Sequence, residues 1–124
     1  MSQPLSVVFY WHMHQPFYRE ADTGRYHLPL VFLHAMKDYT DMAEILAQLP
    51  RAKAVMNYVP SLTAQIEDYA NHLRQFLDGS ISEINDPLLA ALANKSGHFD
   101  QATREYLLQT CFRLNHHRNL HRYP

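Results

Sequence analysis

Two histidines one residue apart, His12 and His14 in "YWHMHQPFY" (10–18), are the residues of this chain best placed to do chemistry. Side chains alternate along an extended backbone, so both imidazoles point to the same side if the strand geometry persists through them. A neutral imidazole donates one hydrogen bond and accepts another. The pair could therefore bind a metal, act as general acid or base, or hold a polar ligand such as a sugar. A strand-end histidine also commonly serves as a plain structural donor. A metal site would need third and fourth ligands, and no His-x-x-Glu-His or Cys-x-x-Cys pattern supplies them nearby. The nearest further histidines, His27 and His34, sit in or just after a loop whose path the sequence does not define.

Asn57 closes a second short apolar run two residues before Val59-Pro60 and is placed for another polar contact, or else ends the run by bonding nearby backbone. Tyr10, Phe17 and Tyr18 offer apolar surface to a ligand; Trp11 could do the same, but it points away from His12 and better suits a core. His34 either caps a helix or faces the cleft. The acids form no convincing pair. Glu20 and Asp22 lie in a loop, and Asp38, Asp41, Glu44, Glu67 and Asp68 fall on helices, where a solvated face is the default.

The elements that must hold these residues follow from pattern. "LSVVFYW" is β-branched and aromatic between Pro4 and Pro16, and predicts a buried strand near 5–12; "AKAVMNYV" before Pro60 predicts a second near 52–58. Residues 17–33, with Gly24, Pro29 and many aromatics, predict a long ordered loop. Met36, Tyr39, Met42 or Ala43, Leu46 and Leu49 fall at helical spacing and predict one buried face on a helix near 34–48 that Pro50 ends. Helices are also expected near 61–77, led by Pro60; near 87–94, capped by Asp86-Pro87; and near 101–115, capped by Asp100 with Leu107, Leu108, Cys111 and Leu114 as its apolar side. Strand, helix, strand predicts a right-handed parallel βαβ unit, so the class is α/β, mostly helical by residue count. Two parallel strands followed only by helices make a poor complete sheet and point to a piece of a larger domain.

With 124 residues and 47% hydrophobic content the chain has material for one core, and 1–124 is taken as a single partial domain. Eleven basic against twelve acidic side chains leave no surplus of positive charge for a phosphate backbone or an anionic membrane, so neither nucleic acid nor membrane is expected as a partner. The histidines of "NHHRNLHRYP" (115–124) could make a weak basic patch at mildly acid pH. Cys111 stands alone, which excludes an internal disulfide and suits a reducing compartment. The start lacks a basic segment before a long apolar one and no run reaches the roughly 18 apolar residues of a membrane span, so a cytoplasmic location is expected.

"YWHMHQPFY", "LPLVFLHAMKDYTDMAEIL" and "NYVPSLTAQIEDYA", in this order and at this spacing, resemble the amino-terminal part of glycoside hydrolase family 57. His14-Gln15-Pro16 matches the family's first signature, and "CFRLNHHRNLHRYP" is a looser match to the segment that follows in the larger bacterial members. The resemblance implies the opening βαβ of an incomplete (β/α)7 barrel, followed by helices. It implies an enzyme that hydrolyses or transfers α-glucosidic bonds of α-glucans with retention, an α-amylase-like activity that needs no cofactor. It also implies that the catalytic carboxylates lie on later strands, beyond residue 124, so that the chain by itself is inactive. Carried over by position, His12, His14, Gln15, Tyr18 and Asn57 become substrate-binding residues for an α-glucan or oligosaccharide, with no catalytic residue and no metal ligand assigned. A His-based metal module, and an interaction domain that pairs through an exposed partial-barrel edge, remain the competing classes.

Overall fold

The computed structural model describes residues 5–112. The basic patch of the tail and the last residues of the helix expected to reach 115 lie outside them, as does the side chain of Cys111.

The predicted βαβ unit forms. Strand β1 (Phe9–Met13) pairs in parallel with β2 (Ala54–Tyr58), and the register sets Trp11 against Met56, His12 against Asn57 and Met13 against Tyr58. Both strands are shorter than the apolar runs that encode them. Leu5–Val8 lie outside β1 because no described residue pairs with them: the Ala52 N–H turns back to the Leu49 carbonyl at 2.8 Å, and β2 begins only at Ala54. Nor is β1 the buried strand its composition predicts, since Val8, Phe9 and Tyr10 are 71%, 61% and 60% exposed. The core lies against one face of the sheet at its carboxyl end, and burial on that face deepens from exposed Phe9 through half-buried Trp11 to buried Met13.

The connection between the strands departs most from expectation. Residues 17–29 are folded into a hairpin-like excursion, joined by an isolated antiparallel bridge between Arg19 and Tyr26 and turned at Gly24, whose φ of 68° favours a residue without Cβ. The helix then starts at Leu30, four residues early, directly after buried Pro29. It runs as α1 (Leu30–His34), widens into a π-helical turn (Ala35–Tyr39), and continues as α2 (Thr40–Ala47). A π turn takes up an extra residue and shifts the phase of everything after it. The predicted apolar face is broken: Met36, inside the π turn, and Leu49, past the end of α2, are exposed, and after the turn Asp41 takes a buried position with Lys37 Nζ 2.7 Å from its carboxylate.

Helices α3 (Pro60–Leu77), α4 (Pro87–Leu92) and α5 (Gln101–Phe112) begin where their caps predict. Pro60 and Pro87 occupy first-turn positions, where a missing N–H costs nothing. Asp86 accepts from the Leu88 and Leu89 N–H groups at 2.8 and 3.1 Å, and Asp100 from that of Thr103 at 2.7 Å. The core gathers Met13, Tyr26, Val31, Leu62, Tyr69, Ile84 and Leu89 between the sheet, α1 and α3. Leu108, predicted to pack, is exposed. Among the described residues no helix is long and apolar enough to cross a membrane.

Candidate functional site

The parallel register gives the two faces of the sheet different work. Trp11 and Met13 face the core, and alternation sends His12 to the other face, beside its register partner Asn57. His12 Nδ1 lies 2.9 Å from Asn57 Oδ1. An amide oxygen only accepts, so the ring carries its proton on Nδ1 and, when neutral, presents an unshared pair on Nε2. Asn57 thus orients a histidine instead of merely ending a strand. His14 follows on the same side, its ring nearly parallel to that of His12 at 12°, with centroids 6.0 Å apart. Both imidazoles are exposed, and His14 has no hydrogen-bond partner among the described residues. Its two nitrogens are open to a ligand.

Gln15 and Tyr18 form a second group, one loop further along. Tyr18 Oη donates to Gln15 Oε1 at 3.2 Å, and Gln15 Nε2 to Tyr39 Oη at 3.4 Å. Burial, then the neighbouring Tyr39 hydroxyl, push the Tyr18 phenol above its ordinary value, which keeps it a neutral donor. Tyr39 comes from the π turn and packs edge-on against Tyr58 at the end of β2, centroids 5.9 Å apart. The five predicted site residues therefore fall into two sets, His12, His14 and Asn57 on the open sheet face, and Gln15 with Tyr18 in the loop that leaves it. No hydrogen bond joins the sets among the described residues.

Three further residues surround these sets. Tyr39, expected on an apolar helix face, accepts from Gln15. His34 ends α1 and bonds the Asp38 carboxylate one turn on, so it neither caps the helix nor opens it. Gln65 is 1% exposed on α3 and receives the Tyr18 N–H while donating to the Pro16 carbonyl. The signal for Gln65 was available: it stands three residues after Leu62 and four before Tyr69, a polar side chain within an apolar stripe.

The acids are more engaged than a solvated reading allows, yet serve structure. Asp68 accepts from Tyr26 Oη at 2.9 Å and pairs with Arg19 at 3.3 Å; Glu20 pairs with His27 at 3.3 Å. No carboxylate bonds to His12, His14, Gln15 or Asn57 among the described residues, and no group of three His, Cys, Asp or Glu there could hold a metal ion.

The sequence model of Glycosyl hydrolase family 57 matches residues 8–120 of the chain. No curated protein and no solved structure matches it significantly.

Proposed function

The chain belongs to glycosyl hydrolase family 57, and from that premise we propose that its 124 residues supply one sugar-facing wall of an enzyme that splits or transfers α-glucosidic bonds of α-glucans with retention. The observation that carries this is the open face of the sheet at its carboxyl end. There Asn57 fixes the His12 tautomer and His14 stands free, offering a donor and two acceptors to neutral hydroxyls, in a position where α/β folds place ligands. Gln15 and Tyr18 add an amide and a phenol at the rim. In this proposal the wall belongs to a (β/α)7 barrel, 1–124 being one partial domain of it.

Retention requires two carboxyl groups about 5 Å apart, one as nucleophile and one as acid and then base. No carboxylate stands at the wall described here, so the nucleophile and acid come from elsewhere in the protein and these 124 residues alone leave the glycosidic bond uncleaved. The test is titration of the chain with maltoheptaose, followed through the imidazole signals of its nine histidines, beside an assay on starch. Saturable shifts confined to His12 and His14, with no release of reducing sugar, are expected. Absence of those shifts, a shift with zinc in place of sugar, or turnover abolished by replacing one of its own acids would each overturn the assignment.

A further inference from the structure

Gln65 uses its whole amide. Oε1 accepts the Tyr18 N–H at 2.8 Å, and Nε2 donates to the Pro16 carbonyl at 3.0 Å and to the Ser61 carbonyl, one turn back on α3, at 2.8 Å. Reversing the amide would set N–H against N–H and oxygen against oxygen, so the orientation is determined by the partners. The side chain is almost wholly buried, and the two backbone groups it grips lie on either side of Phe17, in the segment that carries His14, Gln15 and Tyr18. The loop makes few other attachments there: Tyr18 takes the His27 N–H on its carbonyl at 3.0 Å, and Met13 takes that of Val59 at 3.2 Å. Among the described residues, the hydrogen bonds that anchor the backbone between Met13 and Tyr18 to the body of the fold come from this one amide.

We infer that Gln65 is a positioning residue, a clamp on the backbone of Pro16 and Tyr18 that sets where the His14, Gln15 and Tyr18 side chains stand. It touches no substrate and acts through the loop. This rests on the sugar-binding role of those three residues, so the experiment reads the two separately. Methionine at this position keeps the volume and removes both donors and the acceptor. A carboxylate keeps the acceptor for Tyr18 and loses the donors toward Pro16 and Ser61, until protonation restores one of them.

The wild-type chain is titrated with maltoheptaose as above, and the same titration is run on Gln65→Met and Gln65→Glu. Backbone amide exchange is recorded on the wild type. The Tyr18 amide is expected to be protected from exchange. Gln65→Met is expected to keep its circular dichroism and lose about tenfold in sugar affinity; Gln65→Glu should lose as much at neutral pH and recover, relative to wild type at the same pH, as the carboxyl protonates. A wild type that binds no sugar removes the premise and leaves the clamp to be judged on exchange alone. Unprotected Tyr18, or folded variants that bind maltoheptaose like wild type at every pH, would refute the clamp. Should Gln65→Met not fold, Gln65→Glu and the wild-type exchange decide.

Discussion

A hydrogen bond to Asn57 decides which nitrogen of His12 is offered to a ligand. Nitrogen-15 shifts of the imidazole should therefore report the Nδ1–H tautomer for His12 at neutral pH. Solvated histidines favour the other tautomer or a mixture of the two. Asn57→Leu should move His12 to that mixture with little loss of stability, about 1 kcal/mol or less, because the bond is exposed to water. If the wild-type ring already shows the mixture, Asn57 does not orient it. The pair was half legible beforehand: alternation places His12 and His14 together, but only the register brings Asn57 opposite His12, and register depends on where β2 starts.

Among the elements, α3 and α4 are joined by a buried bond in which Tyr69 Oη donates to Asp86 at 2.6 Å while the other Asp86 oxygen caps α4. Asp86→Ala removes the cap and strands the phenol, so a loss of roughly 2 to 4 kcal/mol is expected in urea unfolding. Asp86→Asn, which keeps an acceptor for one role, should lose distinctly less. Equal losses would show that the two roles are not separate. The caps were legible because Asp-Pro before an apolar run states its own chemistry in neighbouring residues. The early start at Leu30 and the π turn were not. Pro29 looks the same in a loop as at a helix start, and a single extra residue inside a helix leaves no mark in local composition.

Over the whole molecule, the rings of Tyr26 and Tyr69 pack in the core, tilted by 30° with centroids 4.2 Å apart, and Asp68 and Asp86 accept from their hydroxyls. Burial, reinforced by those hydrogen-bonded carboxylates, raises both phenols well above their ordinary value near 10. A raised folded value means that the unfolded chain ionises first. The contribution to stability is thus intact below about pH 10 and declines as pH rises beyond it. Absorbance at 295 nm should show the Tyr26 and Tyr69 phenols ionising only as circular dichroism is lost. All eight titrating near pH 10 in a folded protein would contradict the core described here.

The bonds that shape the end of β1 and the loop after it span long stretches of chain: His12 to Asn57 covers 45 residues and Pro16 to Gln65 covers 49. Synthesis runs from the amino terminus, at roughly 5 to 20 residues per second. The His-Gln-Pro segment is therefore made seconds before the residues that hold it, and it must wait as an aromatic, unpaired stretch until α3 has left the ribosome. The first part of the site to be translated is the last to take its shape. A pause in translation ahead of residue 65 prolongs that interval.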